Sequence, residues 1–302
     1  MSTGTAPARV ITIGTFDGVH RGHQALLGRA AEHAGRLSSG YAALTFAPPP
    51  RAVLRPAEIT WELTPGEEKV HWLEAAGAQV AVVAFTPEFA RMDPLDFLNQ
   101  IVRERYRPAV IVEGHDFTFG RQALGTVAVL REWARERGIE VEVLDPVDGP
   151  HGVVSSSAVR AMVRDGRLDE ARALLGRPYS ALGQVRRGDG RGRTLGFPTA
   201  NLWLPPTKLM PPYGIYAGYA EEEEGGARTL AVASWGVRPM FATPTPLLEV
   251  HLIGVTRDLY DRRLWFQFGQ FLRAEERFSG TAALVDAIRE DVRQAEDWAA
   301  GR

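Results

Sequence analysis

No cysteine occurs among the 302 residues, which excludes disulfides, thiolate metal centres and a cysteine nucleophile and fits a reducing compartment. Net charge is nearly absent as well. The 35 basic and 37 acidic residues leave −2, so there is no electrostatic footprint for nucleic acid, and a small nucleotide would need only a local positive site. Long apolar runs are missing too: the longest, such as residues 80–85, are strand-sized, against the ~20 residues of a membrane-spanning helix. Residues 1–8 lack the apolar stretch of a secretory signal. Internal repeats and low-complexity tracts are also lacking. Together these absences predict a cytoplasmic chain with no nucleic-acid or membrane partner.

What is present is an apolar content of 45%, enough for two cores at a length where single cores stop growing. In the first 175 residues, β-rich runs at 10–13, 41–46, 80–85, 109–112 and 139–144 alternate with helical patterns at 24–37, 67–76, 94–105 and 127–137. Strands apolar on both faces, alternating with helices, predict a Rossmann-like α/β unit whose parallel sheet binds ligands at the carboxyl ends of its strands. Two short helical pieces, 158–164 and 169–175, end at Gly166 and Gly176. Beyond residue 179 only short strands remain, at 181–186, 215–219, 230–233, 248–253 and 264–268, separated by Gly and Pro clusters. That pattern predicts a small antiparallel β-barrel. A C-terminal helix carries Leu284, Ile288, Val292 and Ala295 on one stripe, which should pack on the barrel. The predicted boundary lies near 176–180, giving domains 1–177 and 178–302. The acidic run at 221–226 reads as a solvated hairpin tip.

The first chemical constellation follows the first strand: Gly14-Thr15-Phe16-Asp17-Gly18-Val19-His20-Arg21-Gly22-His23 leads straight into a helix. Glycines in a strand-to-helix turn let backbone approach a ligand, and the helix start offers free N–H groups and positive dipole to phosphate. His20 and His23, either side of Gly22, can donate to phosphoryl oxygens as charge develops, which is electrostatic stabilisation without a covalent step. Downstream, Ser155-Ser156-Ser157 up to Arg160 reads as a serine-capped helix start with a second set of donors. By itself each segment also fits an ordinary turn or N-cap of an α/β protein.

The second constellation runs from Arg187 through Gly188, Arg191 and Arg193 to Pro198-Thr199-Ala200-Asn201. Gly-rich backbone with Arg191 and Arg193 suits phosphate oxygens. Thr199 and Asn201, two residues apart in an extended segment, place their oxygens on one face, where they can hold Mg²⁺. From composition alone, a flexible basic loop before an edge strand fits equally well.

These segments, with Gly114-His115-Asp116-Phe117-Thr118-Phe119-Gly120 and Leu175-Gly176-Arg177-Pro178-Tyr179 between them, stand in the order found in bacterial bifunctional riboflavin kinase/FAD synthetases. The resemblance covers nearly the whole chain. It implies an N-terminal FMN adenylyltransferase domain of the HxGH nucleotidylyltransferase type and a C-terminal riboflavin kinase barrel. It further implies ATP as co-substrate, Mg²⁺, and riboflavin, FMN and FAD as substrates or products. In its terms His20, His23, Ser156, Ser157 and Arg160 are triphosphate ligands, Gly14, Phe16, Asp17, Gly22 and Asp116 line the nucleotide, Gly188, Arg191 and Arg193 bind the kinase nucleotide, and Thr199 and Asn201 are metal ligands. Glu249 in Leu248-Glu249-Val250-His251-Leu252 matches the kinase base, and strand alternation puts it with His251 on one side and Leu248, Val250 and Leu252 on the other.

Departures from the family pattern are also present. Ala47 and Pro49 stand where the family has Asp and His, and proline cannot donate a hydrogen bond. Thr118 and Ala158 replace residues that are often basic, and Ser157 replaces a Thr. In the barrel, Ser234, Trp235 and Met240 replace Asn, Ile and Thr, Gly254 falls in an altered Leu-Asp-Phe run, and Asp261 takes a glycine's place. Missing polar contacts in a pocket change discrimination, so the departures define the alternatives: one active domain, a modified flavin substrate, or a non-catalytic flavin-binding regulator.

Overall fold

The computed structural model describes residues 8–150, 152–188, 192, 195–237 and 246–301. The chain forms two compact units, Met1–Ala158 and Val159–Arg302.

In the first unit β1 (Ala8–Ile13), α1 (Arg21–Arg36), β2 (Gly40–Ala47), α2 (Pro50–Leu54), α3 (Glu67–Ala75) and β3 (Gln79–Ala84) build one half of a sheet. The other half follows α4 (Pro94–Asp96), a π-helical run (Phe97–Arg103) and α5 (Glu104–Tyr106), and consists of β4 (Val110–Gly114), α6 (Val127–Arg135) and β7 (Glu140–Leu144). Two minimal hairpins, β5 (Thr118–Phe119) with β6 (Gly125–Thr126) and β8 (Asp148–Gly149) with β9 (Gly152–Val153), follow β4 and β7. Among the described residues the strand order is β3-β2-β1-β4-β7, with every pairing parallel.

The sequence reason is that the strands are apolar on both faces. Ile11 and Ile13 pack with Leu98, Ile101 and Leu130, whereas Val10 packs on the opposite side with Leu27 and Ala30. The stretch expected as one α-helix over 94–105 departs from that form: the Glu104 amide donates to the Asn99 carbonyl five residues back. This widened turn buries Phe97, Leu98, Ile101 and Val102 together. From β1 the chain runs outward to β2 and β3 on one side, and β4 and β7 fill the other. The direction therefore switches between β1 and β4, where an open α/β sheet leaves a crevice for ligands.

In the second unit, α8 (Leu168–Leu175) follows α7 (Ser156–Arg164), within which the division between units falls. Then come β10 (Ser180–Arg186), β11 (Ala200–Trp203), β12 (Gly214–Glu222), β13 (Thr229–Val237), β14 (Pro246–Leu252) and β15 (Arg263–Arg273), closed into a barrel in the order β10-β11-β14-β13-β12-β15. Ala200, Val250, Ala233 and Tyr216 share one register row and one face. On the other face Ile215, Ala217 and Val232 pack against Val292, Ala295 and Trp298 of α9 (Thr281–Ala300). Leu284 and Ile288, on the same expected stripe, are half-buried. Asp291 of α9 receives both Nε and Nη2 of Arg273 at 2.7 Å, a bidentate pair that fixes the helix to β15.

Two expectations change here. Residues 200–203, read as an extended segment that could be an edge strand, are a closed-barrel strand between β10 and β14. The acidic run is indeed the β12–β13 hairpin tip but is not merely solvated: Glu223 pairs with Arg263 at 3.1 Å, Glu224 with Arg262 at 3.1 Å, and Glu222 with Arg257. These arginines lie some forty residues downstream on or beside β15, so local sequence gave no sign of them.

Candidate active sites

In the first unit the turn from β1 to α1 is held from several directions. Phe16 and Val19 adopt φ of 49° and 40°, a left-handed conformation that non-glycine residues hold only when packing fixes it. Both side chains are buried, and the Phe16 ring edge meets His23 at 5.2 Å. Asp17 Oδ1 accepts the amides of Leu63 (2.8 Å) and Thr64 (3.1 Å), and the Gly18 amide donates to Thr64 Oγ1 at 2.8 Å. Asp17 thus braces the turn against the 62–64 segment, and it does not line the cavity described below.

His20 is the N-cap of α1, its Nδ1 accepting the His23 amide at 3.4 Å. Its ring stacks on that of His23, centroids 3.7 Å apart and planes 18° from parallel. A side chain at Gly22 would press on this arrangement, since its Cβ would come within 3.2 Å of the His20 ring. Glycine lets the histidine lie over the first helical turn.

The second helix start converges on the same turn. Ser155 Oγ accepts the Ala158 amide at 3.2 Å, so Ser155 is the cap. Ser156 donates its hydroxyl to the Asp17 carbonyl at 2.9 Å. Arg160 stands one turn along α7 from Ser156 and does not line the cavity.

A cavity of about 1340 Å³ opens at the carboxyl ends of the strands. That exceeds the ~300 to 1,000 Å³ of most small-molecule pockets, leaving room for two ligands. Gly14, His20, His23, Asp116, Ser156 and Ser157 form its polar part. Its other part is aromatic, with Phe46, Phe85 and Phe89 in mutual contact at 5.4 to 6.0 Å and Phe117 stacked on Phe119 at 5.3 Å. Asp116 sits in a turn closed by the Phe117 amide on the Gly114 carbonyl, 3.1 Å. Pro49 is the N-cap of α2 without a side-chain cap bond. Pro50 and Val53 reach the cavity, whereas Ala47 and Pro49 do not line it.

Two buried charged residues were not legible as part of this region. Glu113, 1% exposed, lines the cavity at the end of β4 and accepts the Ile13 amide on Oε1 at 2.7 Å. Burial pushes its carboxyl well above the usual range. The only signal was a carboxylate ending an otherwise apolar strand, Val110-Ile111-Val112-Glu113. Lys69, 5% exposed, donates from Nζ to the Phe46 carbonyl at 3.2 Å, and burial lowers its pKa against the opposing pull of Glu62 and Asp17.

In the second unit Asn201 of β11 lies opposite Glu249 of β14, and Glu249 lies opposite Ser234 of β13. Directly paired residues share a face with Cβ atoms ~5 Å apart, so an amide, a carboxylate and a hydroxyl form one row. The alternation expected for β14 is present: Leu248, Val250 and Leu252 are buried, while Glu249 and His251 are half-buried on the other side. The row is on the face that carries Ile215, Ala217 and Val232, outside the Tyr216 row.

A glycine lets the preceding loop close on this row. A Cβ at Gly188 would stand 2.2 Å from Asn201 Nδ2, so only glycine admits the amide there. The Leu195 and Phe197 amides both donate to the Gly192 carbonyl, at 3.2 and 2.8 Å. His251 Nδ1 lies 2.8 Å from the Pro198 carbonyl, which only accepts, so that nitrogen carries the proton. Arg191 and Arg193, and Met240 among the departures, lie outside the described residues. No group of three or more His, Asp or Glu side chains suited to a metal occurs among the described residues.

Two family models match the chain in sequence order, one described as FAD synthetase over residues 3–158 and one as riboflavin kinase over residues 175–299. Three curated relatives described as bifunctional riboflavin kinase/FMN adenylyltransferase match across both. That of Listeria monocytogenes is 34% identical, covering 94% of this chain and 90% of its own length. Those of Bacillus subtilis and Escherichia coli K12 are 34% and 33% identical, covering 95% and 96% of this chain and 91% and 92% of theirs.

The chain belongs to the bifunctional riboflavin kinase/FMN adenylyltransferase family. A crystal structure described as a macrolide-efflux protein from Streptococcus pneumoniae superposes with a TM-score of 0.85 at 29% identity, covering 98% of this chain and 96% of that one. The efflux in that description concerns the pneumococcal protein; in the present chain no helix among the described residues is long and apolar enough to cross a membrane. What the fold match adds is that the family's sheet unit and barrel unit recur together over the full length.

Proposed function

We propose that this chain phosphorylates riboflavin to FMN in its barrel unit and adenylylates FMN to FAD in its sheet unit, with the functional boundary at residues 177/178. The observation that carries the reading is the separation of two complementary chemistries. Stacked histidines and two helix starts ring a two-ligand cavity in one unit, and a carboxylate faces an amide across a strand pair in the other.

At the sheet site the attacking group is a phosphate oxygen of FMN, already an anion. It attacks the α-phosphorus of ATP, the bond from that phosphorus to the bridging oxygen breaks, and pyrophosphate leaves. No base is required. His20, His23, the first amides of α1, the Ser157 hydroxyl and the Ser156 and Ser157 amides at the start of α7 donate to the phosphate oxygens as charge moves onto the leaving group, and Arg160, one turn further along α7, adds positive charge behind them. Gly14, Phe16, Asp17 and Gly22 shape the turn that carries them, and Asp116 lines the nucleotide. The aromatic end of the cavity, Phe46 to Phe119, suits a planar flavin ring.

At the barrel site the attacking group is a neutral hydroxyl, and Glu249 accepts its proton as oxygen bonds to the γ-phosphorus and ADP leaves. Gly188, Arg191 and Arg193 receive the nucleotide phosphates. Thr199 and Asn201 supply neutral oxygens on one face beside Glu249, a sparse donor set that suits Mg²⁺ shared with nucleotide phosphates rather than a closed protein cage. When bound there, Mg²⁺ would neutralise charge on the transferring phosphoryl group. Ser234, on the Glu249 row in place of the family's asparagine, bears on how the flavin is read.

Chromatography of the products formed from ATP and Mg²⁺ with riboflavin, and separately with FMN, tests the reading. FMN and FAD are the expected products. Absence of both, in a folded protein that binds flavin, would favour the regulator.

A further inference from the structure

The sheet opens where its ligands would enter, and one side chain stitches that opening. β1 and β4 pair in register at Val10 with Val110 and Ile11 with Ile111. Two residues further along, the backbone partner of Ile13 on the β4 side is replaced by a side chain. The Ile13 amide donates to Glu113 Oε1 at 2.7 Å, while the next amide, Gly14, donates to the Leu44 carbonyl of β2 at 2.9 Å. The residue at which the chain leaves the sheet for the His20 turn is therefore held from both neighbouring strands, by backbone on one side and by Glu113 on the other. Without Glu113 the Ile13 amide would be buried and unsatisfied, a loss of about 1 to 3 kcal/mol in general.

An aliphatic side chain would suit the packing of β4, so the carboxyl has to be explained by what it does. We infer that Glu113 is a positioning residue of the adenylylation site, which orients the Gly14 to His23 turn by holding the Ile13 amide. The inference rests on the sheet unit being the adenylylation site. Glu113 is 1% exposed, and its burial raises the carboxyl's pKa well above the usual range. The other charged or titratable groups lining the same cavity are His20 and His23 from α1, Arg91 after β3, His115 and Asp116 after β4, and Arg121 and Asp145 further on. Glu113→Gln leaves all of them unchanged and keeps an accepting oxygen for the Ile13 amide.

The experiment measures KM for ATP and kcat in FMN adenylylation for the wild type, Glu113→Gln and Glu113→Val, with riboflavin phosphorylation by the same samples as internal control. E113V, which leaves the Ile13 amide without its acceptor, is expected to raise KM for ATP about tenfold, and E113Q, which keeps an accepting oxygen, should restore the wild-type KM. Kinase activity should be alike in all three. The inference fails if E113V keeps the wild-type KM or if E113Q raises it as E113V does. Were E113V to misfold, Glu113→Leu, which also lacks an acceptor, decides in its place. A wild type that makes no FAD would instead sink the adenylyltransferase reading itself.

Discussion

The two units solve related phosphate chemistry with opposite means. In the sheet unit the proposed reacting groups converge on a crevice between β1 and β4 and consist of donors: two stacked histidines, helix-start amides and a serine hydroxyl. In the barrel unit the proposed groups stand on an outer face, and the central one is an acceptor, Glu249, opposite Asn201. The difference follows from the attacking group. FMN brings its own negative oxygen, so a site for it needs only to absorb charge, and the carboxyl found at its base, Glu113, is one whose pKa burial raises. Riboflavin brings a hydroxyl whose proton must go somewhere, so an accessible carboxylate is required. The proposed sheet site therefore works with donors alone, and the proposed barrel site adds one base to its donors.

The widest break in that comparison is Glu249→Gln. Removing a positioned base costs about 10²- to 10⁴-fold, so FMN formation from riboflavin should fall by that factor while adenylylation of supplied FMN continues unchanged, as read by product chromatography. Equal loss of both activities would contradict the division of labour. Next in size is His23→Ala, which removes one donor and should lower FAD formation by about 10²- to 10³-fold without affecting the kinase. His20 needs a gentler substitution because it also caps α1. His20→Asn keeps a capping oxygen, and so reports the lost imidazole rather than a frayed helix.

How far the sequence foretold these sites differs between them for the same reason. β1 was legible because Val10, Ile11 and Ile13 are apolar on both faces, and the His20 turn because its glycines and histidines are contiguous. The π-helical widening at 97–103 was hidden, since the same apolar residues satisfy an α-helical pattern. Asp17 shows a deeper limit. Its place in the motif points to the nucleotide, but its Oδ1 is taken by the amides of Leu63 and Thr64, a contact across 46 residues. Glu113 meets Ile13 across 100 residues, and no local pattern carries such a pairing. In the barrel, the alternation of β14 foretold which side Glu249 occupies, whereas its register against Asn201 and Ser234 came only with the fold.

A smaller effect sharpens the barrel side. Gly188→Val would put a Cβ 2.2 Å from Asn201 Nδ2 and so displace the amide from its row. Loss of even the partner that orients a metal ligand typically costs about 10- to 100-fold, and Asn201 is proposed as a ligand itself. Riboflavin phosphorylation should fall by that amount with its Mg²⁺ requirement shifted to higher concentration, and FMN adenylylation should stay as it was. An unchanged Mg²⁺ titration would remove Asn201 from the metal site.

The smallest expected effect concerns stability. Glu113 holds its proton in the folded sheet unit well above 4.5, the value for a free glutamate, because burial disfavours the charge. As pH rises past that value the unfolded chain releases a proton that the folded chain keeps, so folding stability declines until the folded-state pKa is reached. Below it both states are protonated and the burial carries no such penalty. Glutamine cannot ionise. The melting temperature of E113Q relative to the wild type should therefore be lowest in acid and climb as pH is raised toward neutrality. A difference that stays flat across that window would mean that burial does not raise the Glu113 pKa in the fold, and the contrast between that carboxyl and the base proposed at Glu249 would be lost.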